Sequence, residues 1–145
     1  MNLKSFNFVT LPLTSISKGK ERVPYRSGLN WGQRPGRNLS QGYLSIPVDI
    51  QRSNFFPEPG IEFRVICDDG FEMICRRTQQ NGKALCSSKS NAILGDYFRE
   101  RLGLDAGELV VMAHLNKYGR YNVDIHKRIN EPYFLDFSTR IQKYP

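Results

Sequence analysis

The stretch EFRVICDDGFEMICRR, residues 62–77, holds two largely apolar runs on either side of Asp68-Asp69-Gly70. An Asp-Gly pair between short runs rich in β-branched and aromatic residues is a strong signal for a tight hairpin turn. The pattern therefore predicts antiparallel strands over residues 62–67 and 71–77. It makes the chain a candidate for a mostly β protein.

Further strand signals lie on both sides of this hairpin. Asn81-Gly82 predicts a second hairpin turn, after which residues 84–88 return beside the preceding strand. The other expected strands are residues 8–13, where Pro12 marks an edge or an end, 43–48, 108–112, 121–129 and 133–137. The expected total is seven or eight strands, and an antiparallel barrel-like sheet in one domain over residues 1–145 is the natural outcome.

One long helix and two short ones are expected. Ser90 or Asn91 caps the long helix, apolar residues recur at helical spacing from Ile93 to Leu102, and Gly103 stands where a left-handed terminating residue belongs. Single helical turns are expected over residues 49–54 and ending near Gly119.

The positive charge is concentrated in two segments. The formal net charge is +7 at pH 7 and the pI is near 9.5, which favours an anionic partner. Residues 18–38 contain six Lys and Arg against one acid, and residues 76–89 contain four against none. The remainder of the chain carries a small excess of acidic residues.

The composition indicates a soluble, cytoplasmic protein with no membrane partner. No stretch approaches the roughly 20 apolar residues of a membrane-spanning helix, and residues 1–13 lack the pattern of a secretory signal. Cys67, Cys75 and Cys86 cannot all pair within one chain and have neither zinc nor redox spacing. Buried free thiols are therefore favoured over a reactive role.

Residues 27–38, SGLNWGQRPGRN, form the most unusual segment. They lie in an aperiodic stretch, residues 15–41, that predicts a long loop, and such loops are usually functional or disordered. Arg pairs in bidentate fashion with guanine, and Asn or Gln does so with adenine. The alternative is a surface loop packed onto the barrel through Trp31, which we expect to anchor it. The candidate base-reading residues are Asn30, Gln33, Arg34, Arg37 and Asn38.

Residues 76–83, RRTQQNGK, repeat this chemistry across a hairpin. A tight hairpin is narrow enough for the major groove, which is about 12 Å wide; the alternative is an ordinary solvated tip. Lys117, Arg120, Lys127 and Arg128 are expected on solvated faces, and the rim of a phosphate track is the alternative for them. Arg99 to Arg101 are expected on an ordinary polar helix face. The candidates for base or phosphate contacts here are Arg76, Gln79, Gln80, Asn81 and Lys83.

Signatures of catalysis and of cofactor binding fail on inspection. His114 and His126 are isolated from the partners that a metal site or a catalytic triad needs. Asp68-Asp69 is better explained by turn chemistry than by a metal pair, because no Glu-x-Lys follows to complete a nuclease site. Residues 28–36 lack the Gly-Lys-Ser/Thr ending of a phosphate-binding loop. We expect no catalytic residue, metal or cofactor.

Three stretches are similar to one known family. Residues 27–38, residues 43–57 (YLSIPVDIQRSNFFP) and residues 93–104 (ILGDYFRERLGL) resemble the carboxy-terminal domain of NgoFVII-type restriction endonucleases. The resemblance runs from about Phe8 to Phe137, and the first string is its most specific part. In that family a phospholipase D-like nuclease domain precedes a B-three-like DNA-binding pseudobarrel.

The resemblance implies a seven-stranded open barrel, mostly β, with two arms that grip the major groove. Matched by position, the first arm is residues 25–38 and the second is residues 76–89, where Arg77 joins the base-reading candidates. The implied function is recognition of a specific double-stranded DNA sequence for a prokaryotic type II restriction enzyme, whose nuclease domain acts in cis or in trans. A complete small nuclease and an RNA- or protein-binding module are the alternatives. Phosphate contacts are expected from Lys18, Lys20, Arg22, Tyr25, Arg26, Ser88 and Lys89.

Overall fold

A barrel-shaped sheet of seven strands dominates the computed structural model, which describes residues 7–139. Its members are β1 (Phe8–Pro12), β4 (Leu44–Ser45), β5 (Phe63–Cys67), β6 (Glu72–Thr78), β7 (Ala84–Ser87), β8 (Asn122–His126) and β9 (Tyr133–Asp136). The strand order is β1-β8-β9-β5-β6-β7-β4. All neighbours are antiparallel except β5 and β9. Because the edge strands β1 and β4 also contact each other, the barrel is nearly closed. The predicted mostly β, seven-stranded open barrel is confirmed.

The central hairpin forms as its turn chemistry predicts. Gly70 takes a left-handed φ of 91°, and its N–H donates to the Cys67 carbonyl over 2.8 Å. The Asp69 carboxylate accepts the Phe71 N–H over 3.1 Å, a local bond typical of Asp in turns. Phe63 then pairs with Cys75, which sets the register of β5 against β6.

Three α-helices pack around the sheet: α1 (Val48–Gln51), α2 (Asn91–Arg101) and α3 (Met112–Tyr118). The Ser90 hydroxyl caps α2 by accepting the Ala92 N–H over 3.2 Å. Gly103 follows α2 with a φ of 78°, and Gly119 ends α3 with a φ of 99°. The predicted long helix and both short helices are present, although α1 begins one residue before Asp49.

Residues 108–112 do not form the expected strand. Val110 is fully buried, but its backbone partner is a side chain. The Asn30 amide donates to the Val110 carbonyl over 2.8 Å and accepts the Val110 N–H over 2.9 Å. One asparagine therefore replaces the neighbouring strand that this apolar run would otherwise need.

Residues 15–41 are more ordered than the expected loop. A two-stranded ribbon, β2 (Ser15–Ser17) and β3 (Lys20–Arg22), turns at Lys18 and Gly19, which have φ values of 51° and 77°. A short 3₁₀ helix follows over Gly28–Gln33. Positive φ at both central residues is what a two-residue hairpin turn of type I′ requires.

The core lies inside the barrel and under α2. Leu11, Val65, Leu85, Val123 and Ile125 point inward from the strands, each fully buried, and Leu94 and Phe98 cover them from the helix. Burial of such side chains stabilises a fold by about 1.5–3 kcal/mol each. The three cysteines are free and buried, as predicted.

Candidate nucleic-acid interface

The first arm, residues 25–38, is held by backbone bonds at both ends of its 3₁₀ helix. The Gly32 N–H donates to the Gln41 carbonyl over 2.9 Å, and the Tyr43 N–H donates to the Gly28 carbonyl over 3.1 Å. A side chain at Gly32 would overlap the Asn38 carbonyl. The arm therefore folds back on itself tightly, and its shape is set before any ligand arrives.

Asn30 is fully buried, with 0% of its surface exposed. Besides its two bonds to Val110, its amide donates to the Pro24 carbonyl over 2.8 Å. Both amide hydrogens and the carbonyl oxygen are therefore occupied within the protein. This placement corrects the expectation that Asn30 reads bases, because in this arrangement the side chain anchors the root of the arm.

Arg99, which the sequence placed on an ordinary polar helix face, is also 0% exposed. It leaves α2 beneath the first arm and donates to three carbonyls, of Glu108 at 2.7 Å, Ser40 at 3.2 Å and Leu29 at 3.0 Å. Burial lowers the pKa of its guanidinium, while Asp96 and Glu108 oppose that shift. A sequence signal existed: Gly95 lies one turn earlier on the same face, and a side chain there would overlap the Ser40 carbonyl.

Arg37 lies flat over the indole of Trp31, with its guanidinium carbon 3.8 Å from the ring centroid. Its Nε donates to the Gln41 side-chain oxygen over 2.9 Å. Trp31 in turn packs edge-on against Tyr43, with ring centroids 5.4 Å apart. Stacking and one hydrogen bond therefore fix the guanidinium plane, while its two terminal nitrogens have no hydrogen-bond partner among residues 7–139.

Arg34 repeats this arrangement at the exposed tip of the arm. Its Nε donates to the Arg26 carbonyl over 2.8 Å, and its terminal nitrogens likewise have no partner in the part of the chain that the structure describes. Gln33 differs, because both of its amide hydrogens are used, on the Leu39 carbonyl at 3.2 Å and the Gly107 carbonyl at 3.1 Å. Asn38 is exposed, and its side-chain oxygen accepts the Ser40 N–H over 2.8 Å.

The second arm, residues 76–89, contains the hairpin of β6 and β7. Arg77 points inward at its tip and is only 6% exposed. It donates to four carbonyls, of Gly82 at 3.0 Å, Asn81 at 3.1 Å, Gln51 at 3.3 Å and Pro57 at 3.4 Å. The expectation that Arg77 reads bases is corrected accordingly, since its guanidinium braces the hairpin tip. The exposed tip residues are Gln79, Gln80, Asn81 and Lys83.

Between the arms lies a run of small side chains, which we call the floor: Ser45, Thr78, Ala84 and Cys86. Ser45 is exposed, whereas Ala84 and Cys86 are 0% and 1% exposed. Cross-strand pairing puts them on the outer face of the sheet, since Ser45 and Thr78 both pair with Ala84, and Arg76 pairs with Cys86.

The pKa of the Cys86 thiol depends on groups from both arms. Its pKa is raised by burial, and three groups oppose that shift: the hydrogen-bonded Thr78 hydroxyl at 3.0 Å, the charge of Arg76 and the charge of Arg37. Arg76 belongs to the second arm and Arg37 to the first. Arg76 lies opposite Cys86 in the β6–β7 ladder, and β4, which follows the first arm, pairs with β7 of the second arm, so the sheet joins the roots of the two basic segments.

The residues matched by a family model cover most of the chain. The model of the NgoFVII C-terminal B3-like DNA-binding domain matches residues 6–129, a span that includes both arms, the floor and all of α2. The chain belongs to this family. No curated protein matches it. Membership supports DNA binding as a restriction-enzyme domain and a non-catalytic role for these residues.

The expected phosphate-contacting residues of the B3-like domain surround its arms. Lys18, Lys20 and Arg22 are exposed on the ribbon, and Lys89 is exposed beyond β7. Tyr25 is 63% exposed at the start of the first arm, beside the exposed Arg26. The Ser88 hydroxyl is the one buried side-chain polar atom without a hydrogen-bond partner in residues 7–139.

Asp68 and Asp69 of the B3-like domain stabilise its fold. Asp68 forms an ion pair of 2.9 Å with Arg101 of α2, and Asp69 accepts the Tyr97 hydroxyl at 3.0 Å. No group of three or more potential metal ligands occurs among residues 7–139. Within the same range, no helix is long and apolar enough to span a bilayer.

Proposed function

We propose that this B3-like domain recognises a specific double-stranded DNA sequence by placing its two arms in one major groove. The single observation that carries the proposal is the pairing of β4, which follows the first arm, with β7 of the second arm, where Ser45 lies opposite Ala84. The second arm contains a β-hairpin, and a two-stranded ribbon is narrow enough to enter a groove about 12 Å wide.

Arg34 and Arg37 are the base readers that the geometry favours. In both, the Nε is held within the protein and the terminal nitrogens are free within residues 7–139. A guanidinium fixed in this way loses little entropy when it forms a bidentate pair with guanine O6 and N7. A target containing guanine is therefore expected.

The second arm supplies a different contact chemistry. Gln79, Gln80, Asn81 and Lys83 are exposed at its tip, and amide side chains pair with adenine while lysine contacts guanine or phosphate. Gln79 and Asn81 have φ values of 65° and 62°, so their unusual backbone fixes where these side chains project. Asn38, with its amide group exposed on the first arm, belongs to the same set, whereas Gln33 braces the arm.

Affinity without sequence preference comes from the cationic residues around the arms. Lys18, Lys20, Arg22, Arg26 and Lys89, all exposed, contact phosphates in this proposal, with Tyr25 as a neutral donor. Ser88 is left out of this set, because its hydroxyl is buried. Each neutralised phosphate changes the slope of log K against log salt by about 0.9. Cleavage in this proposal belongs to a phospholipase D-like nuclease domain, in cis or in trans, which makes the domain the target-recognition part of a type II restriction enzyme.

Selection of bound duplexes from a random pool tests the proposal. We expect one short sequence to be enriched, with affinity for it well above that for a scrambled duplex. Competition with single-stranded DNA and RNA is the control, since a reader of unpaired bases would prefer those competitors. Recovery of no common sequence, or preference for a single strand, would overturn the proposal. Incubation with plasmid and Mg²⁺ tests the alternative of a small nuclease, and we expect no cleavage.

A further inference from the structure

The β2–β3 ribbon is a separate basic projection beside the first arm. Its turn residues are Lys18 and Gly19, and its second strand carries Lys20 and Arg22, all exposed. Ribbons of this kind are narrow and present side chains on two distinct faces. The cations of the ribbon are therefore either concentrated on one face or divided between two.

The register of the ribbon puts its cations on one face. Ser15 pairs with Arg22 and Ser17 pairs with Lys20, whereas Ile16 pairs with Glu21. Directly opposed residues of an antiparallel pair point to the same side, and alternate residues point to opposite sides. One face thus presents Lys20 and Arg22 beside two serines, and the other presents Ile16 and Glu21.

A groove shows where the ribbon lies. About 230 Å³ in volume, it separates the root of the ribbon from the first arm, and its lining includes Thr14, Ser15, Ser27, Tyr43 and Ser45. Ser45 belongs to the floor, and Tyr43 supports the Trp31–Arg37 stack. The root of the ribbon therefore borders the first arm and the edge strand β4, and Arg22, which pairs with Ser15, lies at that root.

We infer that this face grips the phosphate backbone of the duplex outside the recognised sequence, on the side where the DNA leaves the floor past β4. The inference rests on the proposed function. It adds a third contact region that reads no bases and extends the bound length of DNA in one direction. Glu21 does not cancel the charge of this face, because it points to the other face and its carboxylate accepts the Thr14 hydroxyl over 2.6 Å.

The test compares two duplexes that contain the same selected sequence. The short duplex ends at the recognised bases, and the long one extends by about ten base pairs, roughly 34 Å, on either side in turn. The variant is Lys20→Gln/Arg22→Gln, which leaves Lys18 in place because its φ of 51° is needed for the turn. Arg128→Gln is the control. Arg128 is exposed and follows β8. Because β8 runs antiparallel to β1, Arg128 lies near the start of β1, whereas the ribbon follows the end of β1.

We expect extension on one side to strengthen binding of the unmodified protein, and the double variant to lose that gain. Its salt slope on the long duplex should fall by about 2, since two phosphate contacts are lost. On the short duplex Arg128→Gln should bind as the unmodified protein does, and the double variant should lose less affinity there than on the long duplex. The inference is overturned if extension on neither side strengthens binding, or if the double variant is weakened equally on both duplexes. Failure of the proposed function is a different result, because the unmodified protein would then not prefer the selected sequence in either duplex.

Discussion

Replacing Arg37 with lysine separates its charge from its geometry. Lysine keeps the positive charge near the floor but cannot lie flat on Trp31, where the guanidinium carbon is 3.8 Å from the ring centroid. It also loses the bond from Nε to Gln41. A bidentate contact to guanine contributes about 1–3 kcal/mol of discrimination, so binding to the selected duplex should weaken by about 5- to 150-fold.

Binding to a scrambled duplex should hardly change, since non-specific affinity depends on charge. The stacking of Arg37 on Trp31 exists without DNA, so its loss, about 0.5–1 kcal/mol at a site open to solvent, should appear in the free energy of unfolding. Fluorescence anisotropy with both duplexes and urea unfolding of the free protein measure the two effects separately.

Gln41→Leu is the matched variant, because it releases the Nε while leaving the guanidinium and its charge in place. We expect its loss of affinity to have the same selectivity as that of Arg37→Lys and to be smaller. The reasoning is refuted if Arg37→Lys binds the selected duplex normally, which would remove Arg37 from the base contacts. An equal loss on both duplexes would instead make Arg37 a phosphate contact whose geometry matters.

Three further predictions concern other parts of the molecule. Arg34→Ala should weaken binding to the selected duplex by about 1–3 kcal/mol with a much smaller effect on scrambled DNA; equal effects in titrations of both would contradict its role. Asn30→Leu leaves the Val110 N–H and carbonyl buried without partners and should lower the free energy of unfolding by about 2–4 kcal/mol. Urea unfolding measures this loss. An unchanged midpoint of urea unfolding would show that water replaces the amide. Burial raises the pKa of the Cys67 thiol from 9.0 to about 12, so this thiol loses its proton at a lower pH in the unfolded chain than in the folded one. The free energy of unfolding should therefore fall as pH rises above 9, by about 1.4 kcal/mol per pH unit for this thiol. The free energy of unfolding of Cys67→Ala should decline less steeply between about pH 9 and 11.

Local turn chemistry made much of the barrel predictable. The Asp68-Asp69-Gly70 turn identified the β5–β6 hairpin because its side-chain and glycine requirements act within four residues. The ribbon at residues 15–22 was missed because its strands have three residues each, too short for a periodic pattern to appear. Lys18-Gly19 was its only sequence signal.

The site was predictable as a region but not residue by residue. Charge located both arms, because base- and phosphate-binding chemistry is concentrated in residues 18–38 and 76–89. The same polar residue types also satisfy buried carbonyls, and sequence alone does not distinguish the two uses. The side chains of Asn30, Arg77 and Arg99 are buried. The carbonyls of the irregular backbone beneath the arms need hydrogen-bond donors, and no neighbouring strand provides them.

This division of labour gives the domain a route to new targets. The side chains that hold the arms in shape, Asn30, Arg77 and Arg99, are buried, while Arg34, Arg37 and the tip of the second arm face outward. A substitution at an exposed arm position leaves the buried supporting residues intact. Most members of a library randomised at the exposed arm positions, with the buried residues kept constant, should therefore fold. The domain therefore tolerates substitutions at its exposed contact residues far better than substitutions at the buried residues that support the arms.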